Sequence, residues 1–497
     1  MAPIPTKLLK AHRCSLLLLP IFFLTSFFVS LLNTAKPLTS AKHHINLYNL
    51  QCKPTNETQK CPNNLPQHIQ FQKLNPATCP DYFRWIHEDL RPWTATGITR
   101  EMVDNAQATA HLRLVIVGGR MFVKNYKPSI QSRAKFTVWG ILQLLRMYPG
   151  SVPDLELLFD CDDRPVVPSR DYPIAGNGSG PPPVFRYCSD RKSLDIVFPD
   201  WSFWGWPEIN IKPWQQLLKE LKQGNSQTRW LDREPYAYWK GNPFVAETRQ
   251  DLLTCNLSRD HDWNARLFVQ VILPYFTLLL FIPLSNHAQD WIQESQQGFK
   301  LSNVANQCKH RYKIYIEGYA WSVSEKYILA CDAVTLLVKP YFHDFFTRSL
   351  RPLKHFWPIR DTGKCKSIKF AVDWGNAHPK EAEEIGKEGS DFLQEQLTME
   401  NVYSYMYHLL HGYAKLQRFK PRVPEGAWMA CAETTACEAR GFEKILMGET
   451  LVSGPAVSPP CELPPPYERR VLDKFHRDNL NAVRRVQKWE DAYFSSH

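Results

Sequence analysis

Residues 312–338 read YKIYIEGYAWSVSEKYILACDAVTLLV, and the pattern predicts a strand, a loop, a short helix and a second strand. Tyr312–Glu317 and Ala333–Val338 are apolar runs of strand length, and Ser324–Cys331 has the spacing of a short helix. Ser322, with Glu325 three residues later, resembles a capping box that starts the helix near Ser322. A helix between two strands favours a parallel sheet with a crossover, so this stretch makes the chain an α/β protein. Ligands of parallel sheets sit beyond the carboxyl ends of the strands. The loop Gly318–Ser324 is therefore a candidate site. Free N–H groups at a helix start suit a diphosphate, and Lys326 is close enough to add charge. An ordinary capped helix in a crossover carries the same letters.

Working outward, Tyr236–Lys240 reads as a strand entering Gly241-Asn242-Pro243. Farther upstream, His111–Val117 predicts a buried strand running through Gly118-Gly119 into a loop. Lys135–Met147 predicts a helix that stops before Tyr148-Pro149-Gly150, and Asp154–Phe159 a second buried strand. Downstream, 376–397 and 400–418 read as amphipathic helices. A proline-rich stretch past residue 421 then leads to a basic helical tail. Two α/β units, with a second one beginning near residue 225, suggest a cleft between them.

Two further segments carry chemistry. The strand ending at Phe159 runs into Asp160-Cys161-Asp162-Asp163-Arg164-Pro165. A carboxylate there can take a proton from an attacking hydroxyl. Asp160 and Asp162 also form a D-x-D pattern able to hold a divalent cation against a diphosphate. An acidic turn whose Asp side chains cap the backbone explains the letters equally well. The other segment is Phe198–Glu208, with four aromatics in the six residues Trp201–Trp206. No single helical face holds them all, so a loop lining a sugar or acceptor cleft accounts for them better than a core element does.

FPDWSFWGWPEINIKPW, YAYWKGNP, TRQDLL, DWNARL, DWIQES, the stretch quoted first and FFTRSLRPLKHFWPI together resemble the protein O-glucosyltransferase family, most closely its plant membrane branch. The similarity runs over roughly residues 76–420. It implies a GT-B-like fold of two Rossmann-like domains, a UDP-sugar donor as co-substrate and inversion at the anomeric carbon. No metal or other cofactor is expected. The family's catalytic base falls on Asp163. Its donor-binding segments fall on Gly205, Trp206, Pro207 and the residues to Ile211, on Tyr238–Asn242 with Lys240 and Gly241, and on Tyr319, Ala320, Trp321, Ser322 and Ser324. The animal enzymes carry arginines where this chain has Pro243 and near Ser324, so Lys240, Arg249 and Lys326 are the candidates to neutralise the diphosphate. Read this way, 76–224 is an acceptor-side α/β domain, 225–420 a donor-binding α/β domain and 421–497 a C-terminal extension.

The N-terminus sets the compartment. Cys14–Leu32 is an uncharged run long enough to cross a bilayer, with Lys7, Lys10 and Arg13 ahead of it. The positive-inside rule makes 1–13 a cytosolic tail, 14–32 an uncleaved signal anchor and 33–75 a lumenal stem. Sequons at Asn56, Asn177 and Asn256 agree with a lumenal body. So do the cysteines: of 13, all but Cys14 make an even number without C-x-x-C zinc spacing, as disulfides require. The tail lacks a KDEL-type signal, which favours the Golgi over the ER for this single-pass type II protein. Its net charge of +11 over 497 residues is spread out, with no stripe for nucleic acid.

An inverting transferase moving glucose or xylose to a hydroxyl of a protein or polysaccharide is the leading expectation. An inactive sugar- or peptide-binding homologue is the alternative, and a glycoside hydrolase would need a second carboxylate suitably placed across the sugar. One segment departs from the family. Val271–Gln289 (VILPYFTLLLFIPLSNHAQ) interrupts a stretch that relatives read through. Its first codon begins GT, its last can be CAG, and its Phe, Leu and Ile content fits T-rich DNA. These features are those expected of a translated intron, and a genuine hydrophobic loop packing on the body or dipping into the membrane face is the alternative.

Overall fold

The computed structural model describes residues 48–54, 56–63, 71, 76–173, 180–271, 289–290 and 303–496. The chain divides at Asn49/Leu50, and the elements below belong to Leu50–His497. The expected anchor 14–32 lies outside the described residues, as do 272–288, most of the suspected intron, and the sequon at Asn177. Among the described residues no helix is long and apolar enough to cross a membrane.

Gly118 and Gly119 shape the first sheet. Both adopt positive φ, 57° and 72°, which only glycine takes up without steric cost. The chain therefore reverses in two residues from β1 (Leu112–Val117) to β2 (Arg120–Asn125), with Val117 opposite Arg120. The sequence reading placed a loop here, and the structure replaces it with a hairpin. β1 also runs antiparallel to β3 (Leu155–Phe159). β4 (Val184–Arg186) and β6 (Ile196–Val197) then add in parallel, while β5 (Ser189–Asp190) leaves the sheet. The first sheet is thus mixed, not the parallel Rossmann-like sheet expected.

The second sheet is parallel throughout. β7 (Glu234–Gly241), β8 (Ala265–Val271), β9 (Gln289–Asp290), β10 (His310–Tyr315), β11 (Val334–Val338) and β13 (Trp357–Ile359) line up in the order β13-β11-β10-β7-β8-β9. Counted within the sheet, that is the 3-2-1-4-5-6 order of dinucleotide-binding folds, and its direction reverses between β7 and β10. Side chains alternate as strands require. Tyr312, Ile314, Val334 and Leu336 face one core with Trp357 and Phe370, whereas Tyr315 and Leu337 face the larger core beneath the first sheet. β12 (Phe342–His343) pairs with β5 and ties the two regions together.

Chain order and core membership do not coincide. The expected boundary at 224/225 falls inside one helix, Trp214–Gln227, whose Asn225 donates to Ala330 O at 3.0 Å. Helix Met399–Leu416 packs into the larger core through Tyr405, Met406 and Leu409. β14 (Trp428–Ala430) then joins β2 antiparallel. Finally the helix Arg469–Ser496 returns Val486 to the second core.

Among the described residues five disulfides form, and three of them (Cys52–Cys437, Cys61–Cys431 and Cys79–Cys461) staple the N-terminal segment to the C-terminal one. Cys52 and Cys61 lie in the stretch read as a stem. The others are Cys255–Cys365 and Cys308–Cys331. The even cysteine count overstated the pairing, because Cys161 and Cys188 are buried thiols.

Candidate functional site

β3 leaves the buried sheet at Phe159, and the acidic loop follows. Asp160 is 2% exposed, with Arg186 Nη1 at 2.7 Å and His111 Nδ1 at 3.1 Å. Burial pushes its pKa up, but the His111 hydrogen bond and the Arg186 charge outweigh this and hold it below the usual carboxylate range. The Asp162 N–H donates to Asp160 Oδ1 at 3.0 Å, so Asp160 does cap the backbone as the acidic-turn alternative has it. Asp162 stands half-exposed, 3.5 Å from His111 Nε2 and 3.9 Å from Lys127. His111, Asp160 and Asp162 lie close enough to share an ion, but a divalent cation there would compete with Arg186 for Asp160.

Asp163 is placed differently. Its Oδ1 accepts from Arg133 Nη1 at 2.7 Å, and its side chain keeps 22% exposure. Arg133 also donates to Cys161 O at 3.3 Å and lies 4.5 Å from the Trp201 ring centroid. The Cys188 thiol donates to Asp163 O at 3.0 Å. The carboxylate is thus fixed in direction and still reachable. Sequence reading missed Arg133, the first residue of helix Arg133–Met147. A lone arginine opening an apolar helix was its only signal.

The aromatic loop closes on itself. Trp206 N donates to Ile211 O at 2.8 Å and Ile211 N to Trp206 O at 3.0 Å. Pro207 opens the short turn between them, and Glu208 anchors it by accepting from Ser132 N and Oγ at 2.8 and 2.9 Å. Gly205 has φ 113°, and a Cβ there would meet Leu446 Cδ1 at 2.8 Å, so its role is close packing. Trp201 links Trp206 (centroids 4.9 Å apart) to Trp321 (6.1 Å), and Tyr187 flanks Trp321 at 5.7 Å. Trp201 Nε1, Trp321 Nε1 and Arg133 Nε are buried donors with no acceptor among the described residues.

The third part is the crevice where β7 and β10 diverge. β7 ends in half-buried Lys240 and Gly241, and β10 leads to Glu317-Gly318. Arg249 spans the two strand ends. Its Nε donates to Glu317 O at 3.0 Å, its Nη2 to Ile316 O at 3.1 Å and its Nη1 to Asn242 O at 3.2 Å. Those carbonyls lose sheet partners as the strands part, and a buried carbonyl needs a donor. Arg249 is therefore a strand clamp, not the diphosphate cation expected from sequence.

Lys326 is corrected in the same sense. It is 2% exposed, with Nζ 3.0 Å from Asp200 Oδ2 and 2.7 Å from Ser202 Oγ, beneath the aromatic loop. Its charge is held in the interior. The capping box does not form either. The helix runs Ser324–Leu329 from Val323, Ser322 Oγ pairs with Ser324 Oγ at 2.9 Å, and Glu325 is buried against Tyr315.

Ala320 and Trp321 are buried, Ser322 and Ser324 half-buried, and Tyr319 is 56% exposed. Arg164 lies 4.0 Å from the Tyr319 ring centroid, and its Nε donates to Tyr319 O at 2.9 Å. The residue after Asp163 thus touches the loop after β10, so the acidic, aromatic and crevice segments converge.

A sequence model of glycosyl transferase family 90 matches residues 74–490. O-glucosyltransferase rumi of Drosophila melanogaster is 22% identical over 363 residues, 69% of this chain and 79% of that protein. Protein O-glucosyltransferase 1 of Homo sapiens is 24% identical over 362 residues, 69% of this chain and 82% of that protein. The O-glucosyltransferase rumi homolog of Aedes aegypti is 23% identical over 365 residues, 70% and 82% of the two chains. The family match takes in both sheets and every loop of the site, and the chain belongs to glycosyl transferase family 90.

Proposed function

We propose that the protein is an inverting transferase that moves glucose or xylose from a UDP-sugar to a hydroxyl of a protein or polysaccharide. It works in a GT-B-like cleft on the lumenal side of the Golgi or ER membrane, anchored by residues 14–32. The carrying observation is the meeting of Asp163 with the crevice of the parallel sheet through Arg164 and Tyr319. A reachable carboxylate on one side and a dinucleotide-type crevice on the other suit an in-line displacement.

In that step the acceptor hydroxyl gives its proton to Asp163 while its oxygen bonds to the anomeric carbon. The bond from that carbon to the diphosphate oxygen breaks, and UDP leaves with the electron pair. The relatives' names support glucose and a protein acceptor. The hold of Arg186 and His111 on Asp160 supports chemistry without an essential metal. One observation favours an inactive homologue instead: Arg133 competes for the lone pair that Asp163 needs as a base.

A panel of UDP-sugars tested by thermal shift on the purified protein, followed by transfer assays in EDTA, decides among these. UDP-glucose or UDP-xylose should raise the melting temperature and support transfer without added metal. Binding without transfer points to the inactive homologue, and neither result with any UDP-sugar refutes the reading. Loss in EDTA with rescue by Mn²⁺ would give Asp160 and Asp162 a metal.

A further inference from the structure

We propose that Arg164 is the residue that neutralises the leaving diphosphate, an inference that rests on the UDP-sugar reading above. As the sugar–oxygen bond breaks, negative charge grows on the diphosphate, and a preorganised cation at that point lowers the barrier. Two cations of the donor-side segments do not offer this. Arg249 donates to three backbone carbonyls, and Lys326 is enclosed with Asp200 and Ser202. Half-buried Lys240 also has a neighbour to interact with.

Arg164 is exposed and oriented. Stacking on Tyr319 and the bond from Nε to Tyr319 O fix the plane of its guanidinium. No acceptor among the described residues pairs with Nη1 or Nη2. An aromatic-stacked guanidinium with both Nη groups unpaired is the fork that binds phosphate bidentately. Its position fits the reaction as well. Displacement with inversion puts base and leaving group on opposite sides of the anomeric carbon. Arg164 follows the base directly, and its side chain already spans to the loop beyond β10. It is thereby a catalytic residue, and the Tyr319 ring is its platform.

The alternative is a plain clasp between two loops, and comparing UDP with uridine separates the two. Arg164→Gln should weaken UDP binding roughly tenfold or more, the scale of a charged hydrogen bond, and leave uridine binding unchanged. Turnover should fall roughly 10²-fold, the melting temperature should hold, and Arg164→Lys should recover part of both losses. If the glutamine variant does not fold, Arg164→Met gives the same readout. Unchanged UDP affinity, or equal loss for UDP and uridine, overturns the assignment and leaves a clasp. Wild-type protein that binds neither ligand overturns the donor reading itself, and the role of Arg164 with it.

Discussion

The two sheets present their loops in opposite ways. In the parallel sheet every strand ends at the same edge, so backbone topology alone locates the crevice between β7 and β10. In the mixed sheet β1 runs against both β2 and β3, and topology marks no such point. There, side chains must hold the loop: Arg186 and His111 on Asp160, Arg133 and Cys188 on Asp163. In the crevice, by contrast, charged side chains are free to serve the scaffold. Arg249 clamps the strand ends, Glu317 accepts from the Tyr341 and Phe342 N–H groups, and Lys326 joins the crevice helix to the aromatic loop. Charged residues nearest the expected ligand by sequence are thus scaffold, and Asp163, the carboxylate proposed as base, stands on the less regular side.

Lys326→Met tests that contrast most severely. Both partners of the Lys326–Asp200 pair are buried, at 3% and 4% side-chain exposure, so removing one leaves an uncompensated charge. The expected loss is about 3–5 kcal/mol of stability, read by chemical denaturation. UDP affinity of the molecules that remain folded should not change. A variant as stable as wild type that binds UDP weakly would return Lys326 to the ligand and undo the comparison.

Asp163→Asn tests the other side. The variant keeps the size and one acceptor of the side chain but cannot take a proton. Turnover should fall by roughly 10²-fold or more, equivalent to about 2.7 kcal/mol, with UDP affinity close to wild type. Near-normal turnover would remove the general base from this loop.

The second sheet was legible because its signals are local. Tyr312–Glu317, Ser324–Cys331 and Ala333–Val338 are apolar runs separated by breakers, and their strands and helix lie within two residues of the expected bounds. The first sheet carried an equally local signal in Gly118-Gly119, a two-residue turn between apolar runs, which was read as a loop. The boundary expected at 224/225 lies within one amphipathic helix, Trp214–Gln227, whose Asn225 binds across to Ala330 and Asp332. In the site, sequence marked the segments but not what each side chain touches. Charge is visible in letters, whereas burial is a tertiary property, so Arg249 and Lys326 read as ligand cations. The Arg133–Asp163 pair joins residues thirty positions apart, beyond any local pattern.

Glu317 sharpens the comparison with a smaller, pH-dependent effect. It lies at the crevice wall, where an ionised carboxylate would repel a diphosphate. Burial outweighs the Phe342 and Tyr341 N–H donors and pushes its pKa up to about 7. In the unfolded chain a glutamate titrates near about 4.3. Between these values the native state holds a proton that the unfolded state has released. The contribution of Glu317 to stability is therefore full below the lower value and is lost as pH rises through about 7. Glu317→Gln keeps an acceptor for the two N–H groups and cannot ionise, so it holds its contribution at every pH. The stability of the variant relative to wild type should climb from pH 5 to pH 7, by up to about 1.4 kcal/mol per pH unit, and then level off. Asp344, also raised to about 7 by burial, titrates in the same window but is present in both proteins and cancels in the difference. Urea denaturation of the pair at four pH values measures the trend. A difference flat with pH would mean that Glu317 ionises alike folded and unfolded, and that the parallel sheet sets a fixed negative charge beside the crevice between β7 and β10.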